Sequence, residues 1–138
     1  MARIEDALLQ YRELCSYCDA LFERVRADYP GQVTCARGCV HCCSLKTVCA
    51  LEMFAIGLHL KHAKLRARQA VEAKTVSSGP ACVFLHDGEC TIYPARPIIC
   101  RTHGLPLVVP GEKRVDCCPL NFTSLDLAAL KEADVMDV

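Results

Sequence analysis

A chain of 138 residues allows one domain with a buried core and is too short for two full domains or a large barrel. Sixteen Lys and Arg against sixteen Asp and Glu cancel, so no global field selects nucleic acid, an anionic membrane or an acidic substrate. The outlier is 12 cysteines, a proportion that in a short chain means a disulfide scaffold in an oxidising compartment or a metal site in a reducing one.

The N-terminus, MARIEDALLQYRELC, has no long apolar run and carries Glu5 and Asp6 early, so it does not read as a signal peptide. Later apolar stretches are broken by Glu52, His59 or Lys61 and fall short of the roughly 18 residues that span a bilayer. A cytoplasmic protein is expected, with reduced thiols, and metal binding then leads over disulfides as the reading of clustered cysteines. From Ile4 to about Asp28 the positions Ile4, Leu8, Tyr11, Cys15, Cys18, Phe22 and Val25 recur at three and four, the period of an amphipathic helix, which Pro30 and Gly31 end. A cysteine loop follows over 34–46. A second helix is expected from about Ala50 to Ala73, with Leu51, Phe54, Ala55, Leu58 and Leu65 on one face and Gly57 weakening its middle.

KTVSSGPA, residues 74–81, is a polar connection to a more irregular half. There CVFL and CTIY flank HDGE, whose Asp87-Gly88 pair suits a tight turn with positive φ, so a small hairpin is expected. LPLVV and RVDCC flank PGEK and suggest another. Between them Pro94 and Pro97 exclude a central strand and can open a short helical turn ending near Gly104. A T-x-x-D pattern, Thr123 and Asp126, predicts a capped terminal helix over about 124–133.

Cys35, Cys39 and Cys42 in CARGCVHCC have spacings of the kind that let thiolates converge on one zinc ion, and Gly38 permits the positive φ such a turn often needs. Cys43 is harder to place because neighbouring side chains diverge. A second metal, a multi-iron cluster and packing as a small hydrophobe are all open for it. Cys82 and Cys90 flank the Asp87-Gly88 turn, Cys100 follows Pro97, and Cys117 and Cys118 lie beyond, giving nine candidate ligands in segments of weak secondary structure where a metal can replace a missing apolar core. Cys15 and Cys18 lie on the apolar stripe of the first helix, and they and Cys49 read better as buried small hydrophobes than as further ligands. His41 is expected to be exposed, His86 and His103 are weaker ligand candidates, and Glu52 reads as a partner of a helix N-terminus.

HLKHAKLRAR, residues 59–68, with Lys61, Lys64 and Arg68 on one stripe, lacks interleaved aromatics and reads as a solvated face, so a nucleic-acid partner is not expected. Arg37, Lys46, Arg96 and Arg101 are placed to offset thiolate charge. C-x3-C-x2-C is also the cluster spacing of radical S-adenosylmethionine enzymes, but those place it after the first strand of a βα barrel, whereas here a long helix precedes it and the chain cannot supply the barrel.

CARGCVHCC, then CVFLHDGECTIYPARPIICRTHG, then CCPLNF, resembles the YkgJ-like cysteine-cluster proteins, whose domain is described as zinc- or iron-chelating. The resemblance runs from Cys35 to about Phe122, with C-x-I-Y-x-x-R-P-x-x-C-R its most specific part. It implies metal-ligand roles for Cys35, Cys39, Cys42, Cys43, Cys82, Cys90, Cys100 and Cys118, with Cys117 an extra thiol and Cys49 a departure where a Ser or Thr cap is expected. Arg96, Pro97 and Arg101 match motif positions without being ligands. No catalytic constellation accompanies them. The expectation is therefore a mostly α, cysteine-rich, metal-centred single domain with small irregular β-hairpins, holding zinc or iron in a structural or adaptor role. An iron-sulfur redox or transfer protein, or an electron carrier, is the alternative.

Overall fold

The computed structural model describes residues 2–44, 47–63, 81–109, 111–112 and 114–137. The latter part of the expected second helix, the Lys64–Arg68 part of the basic stripe, most of the connection over 74–81, and Lys46, Pro110 and Lys113 lie outside them. Three α-helices, α1 (Ala2–Asp28), α2 (Ala50–His62) and α3 (Ile98–Thr102), and two antiparallel hairpins are present among the described residues. They group into two compact units, both discontinuous in sequence: Met1–Arg12 with Ala36–Pro97, and Glu13–Cys35 with Ile98–Val138.

In the first unit α2 begins after Cys49, where the Glu52 carboxylate turns back to accept from the Cys49 N–H at 2.9 Å. This satisfies one of the donors that a helix start leaves orphaned and explains why a carboxylate is buried there. The buried side of α2 is Glu52 and Ile56, not the expected Phe54 face; Ile56 is 2% exposed and Phe54 47%. Once Glu52 is drawn inward by its capping bond, the residue one turn on, Ile56, must share its face, and Phe54 turns outward. Cys49, expected to be buried, is exposed at this N-terminus. The first hairpin pairs β1 (Leu85–His86) with β2 (Glu89–Cys90), Leu85 opposite Cys90. Asp87 and Gly88 both have positive φ, 49° and 77°, the turn whose twist matches the paired strands. Beyond it Tyr93–Ala95 forms a 3-10 turn against which α2 packs. Among the described residues Leu8, Ile56, Ile92 and Pro97 are the buried apolar side chains here, and Ile4, on the predicted stripe, is exposed.

The second unit has a more continuous core. Cys18, Leu21 and Val25 from α1 pack with Leu105, Phe122 and Met136, and Phe22, Tyr29 and Val33 border them. The Tyr29 and Phe122 rings meet edge to face at 5.6 Å. β3 (Leu107–Val108) pairs with β4 (Val115–Asp116), and the C-terminal chain runs parallel beside β3, with Val108 N–H donating to the Met136 carbonyl and Met136 N–H to that of Pro106, both at 2.9 Å. That pairing accounts for a correction. In place of a terminal helix the chain makes two single 3-10 turns, Leu127–Ala129 and Glu132–Asp134, separated by extended residues. Asp126 is itself the cap, its carboxylate accepting from Ala128 N–H at 3.0 Å, rather than the third residue of a box begun by Thr123. Buried Asp134 then accepts from Arg24 Nε at 3.2 Å and Tyr29 Oη at 3.1 Å, fixing the tail to α1.

Candidate metal centre

The cysteine loop gains its shape from two successive turns. The Cys39 N–H donates to the Ala36 carbonyl and the Cys43 N–H to that of Val40, each at 3.0 Å, so Cys39 and Cys43 close equivalent turns. Gly38, at φ 95°, supplies the left-handed residue that the first requires. The Cys43 carbonyl accepts from Cys82 N–H at 2.7 Å, which docks the start of the hairpin segment on the loop. The hairpin register then returns the chain to Cys90.

Cys43 lies where the loop meets the hairpin segment. Burial pushes its thiol up from the ordinary cysteine value, the negative charges of the Cys82, Cys90 and Cys39 thiolates push it further, and a hydrogen bond with Cys42 acts the other way. All five cysteines belong to the first unit. Cys90 is also raised, first by burial, with the Cys82 thiolate adding to it; a hydrogen bond from the Ile92 backbone, then Arg96 and Arg37, oppose the rise. Those two arginines flank Tyr93, Arg96 stacking at 4.2 Å from the ring centre and Arg37 lying 5.9 Å away while pairing with Glu89 at 3.5 Å. Their positive charges act on the Cys90 thiol.

The other four expected ligands, Cys35, Cys100, Cys117 and Cys118, fall in the second unit. Cys100 is on α3, next to buried Arg101, which pairs with Asp19. Cys118 is buried and Cys117 half-buried, its Sγ 3.8 Å from the Asn121 carbonyl. Burial, then Asp116, then Cys118 raise the Cys117 thiol. Cys35 Sγ lies 3.3 Å from the Asn121 amide nitrogen. Cys15 and Cys18 are buried on α1 as expected of small hydrophobes, and burial followed by the neighbouring Cys15 thiolate raises Cys18. His41 is exposed, and His86 is exposed and occupied with Asp87 at 2.9 Å.

All twelve cysteines are free thiols. Among the described residues no three Cys, His, Asp or Glu side chains form a ready-made coordination sphere. The donor set nevertheless fits a thiophilic metal in its chemistry: the thiols around Cys43 are soft and mutually repelling when ionised, and a cation would relieve that repulsion. Asn121 and Gly104 are absent from any ligand pattern, and the sequence marked them only by an amide between the apolar Leu120 and Phe122 and a glycine where no turn demanded one. No helix among the described residues is long and apolar enough to cross a membrane.

No curated protein and no solved structure matches the chain. The pattern of the CxxCxxCC family, described as a "putative zinc- or iron-chelating domain", matches residues 34–119, a segment that is more than half of the chain and contains all nine candidate ligands, and the chain belongs to this family.

Proposed function

We propose that the chain binds zinc or iron through cysteine thiolates and that the metal completes the fold of the first unit, in a structural or adaptor role inside a reducing compartment. The observation that carries the proposal is the docking of the Cys82 N–H on the Cys43 carbonyl at 2.7 Å, with the hairpin returning the chain to Cys90 and the loop turns closing at Cys39 and Cys43, in a unit whose described residues bury few large apolar side chains. A bound cation removes the repulsion between thiolates and supplies cross-links between the loop and the hairpin. Cys35, Cys100, Cys117 and Cys118 are the further candidate ligands. Protein purified anaerobically after native expression is expected to carry metal in defined stoichiometry, Cys43→Ser and Cys39→Ser to lose it, and Cys15→Ala to retain it. Full metal retention by Cys43→Ser would contradict the reading.

Five thiols exceed the four that a closed zinc site uses, and this surplus favours as a second reading an iron-sulfur centre with redox or transfer chemistry. That reading requires a brown, oxygen-sensitive preparation with acid-labile sulfide. A colourless preparation holding zinc under the same anaerobic conditions would eliminate it.

A further inference from the structure

Cys35 sits in a pocket shaped for its sulfur. On one side is Gly104, buried and without a left-handed backbone: a Cβ built there would lie 2.6 Å from Cys35 Sγ and 3.0 Å from Asn121 Nδ2. The glycine is needed for space, not for φ. On the other side is Asn121, 3% exposed, with every polar atom engaged. Its Oδ1 accepts from the Thr34 N–H and the Thr34 hydroxyl, both at 2.9 Å. Its Nδ2 donates to the Gly104 carbonyl at 2.7 Å and to Cys35 Sγ at 3.3 Å. A backbone N–H can only donate and a backbone carbonyl can only accept, so Thr34 and Gly104 together dictate which end of the amide faces the sulfur. Cys35 Sγ also lies 3.7 Å from Oδ1, where its thiol hydrogen can point; the ionised sulfur keeps the shorter contact with Nδ2.

We propose that Gly104 and Asn121 form a sulfur cradle that positions Cys35 as a metal ligand, Asn121 acting as a positioning residue through an N–H···S bond to the bound thiolate. The proposal rests on the metal-binding reading above and extends it to a residue beyond the family-matched segment, which ends at 119. A hydrogen bond to a bound thiolate withdraws electron density from the metal-sulfur bond, so losing it alters the sulfur-to-metal charge-transfer energy without removing the ligand.

The test uses the full-length wild-type chain loaded with cadmium-113. The side-chain amide protons of Asn121 are expected to show scalar coupling to the metal, transmitted through the Cys35 sulfur. Cadmium resonating in the thiolate range with no coupling to these protons would overturn the cradle while leaving metal binding intact; no thiolate-range cadmium signal would overturn both. Cobalt-loaded variants give the second arm. Asn121→Asp keeps the acceptor for Thr34 but loses both N–H donors, and should shift the thiolate-to-cobalt band. Thr34→Val loosens the same loop without touching the sulfur contact and should leave the band in place. Equal shifts in the two variants would show a merely structural amide and refute the assignment.

Discussion

The two units achieve their order by different means. The Glu13–Cys35 and Ile98–Val138 segments share a core of Leu21, Val25, Leu105, Phe122 and Met136, closed by an edge-to-face aromatic pair and a buried carboxylate held by an arginine and a tyrosine. The described residues of the Met1–Arg12 and Ala36–Pro97 segments bury Leu8, Ile56, Ile92 and Pro97 and bring Cys82 and Cys90 to the loop of Cys39, Cys42 and Cys43. One unit has a continuous apolar core, and the other, among its described residues, a smaller one beside a group of cysteines. Cysteine count alone does not separate these cases, since Cys15 and Cys18 are buried on a helix while Cys39 and Cys43 close hydrogen-bonded loop turns.

Metal removal is expected to have the largest and most localised effect. Stripping the metal with a strong chelator should abolish hydrogen-exchange protection in the Leu85–Cys90 hairpin and around Cys43, while amides of α1 from Leu21 to Val25 stay protected. Uniform loss across both units would erase the distinction. Next in size is truncation of the apolar core: Leu21→Ala should cost about 2–5 kcal/mol in denaturant unfolding of the second unit and leave metal stoichiometry unchanged. Loss of metal from this variant would show that the core, too, serves the thiol site.

Acidity sharpens the comparison from another direction. The thiols of Cys43, Cys90, Cys18 and Cys117 are all raised, chiefly by burial. In the metal-free chain a thiol whose folded value lies above its unfolded one stabilises below the ordinary thiol range and loses that stability as pH climbs through it. The melting temperature of metal-free protein should therefore fall above about pH 8.5, the ordinary cysteine value. Metal binding displaces thiol protons, so affinity should rise over the same interval. Parallel pH trends for affinity and metal-free stability would contradict this. The smallest effect is expected at the surface: Glu89→Gln removes the exposed 3.5 Å pair with Arg37 and should change stability by under about 1 kcal/mol.

Much of this contrast was legible in the residues because local signals and tertiary demands coincided. Asp87-Gly88 names its turn type, Pro30-Gly31 ends α1, and Pro97 precedes the short helix at Ile98. Where they diverged, longer-range pairing won. The terminal T-x-x-D pattern gives way because residues near Met136 pair with β3, and the face of α2 is set by the inward turn of Glu52. The cysteines were readable as candidate ligands, but their division was not. Nothing in C-x3-C-x2-C-C indicates that Cys35 belongs with Gly104 and Asn121 while Cys39 to Cys43 belong with Cys82 and Cys90, because that sorting depends on which segment each turn meets.

X-ray absorption at the metal edge of anaerobically purified, natively expressed protein bears most directly on the claim that cysteine thiolates hold zinc or iron. Bound metal with a first shell dominated by sulfur is the predicted result. A chain without stoichiometric metal, or a first shell of nitrogen and oxygen, would contradict it.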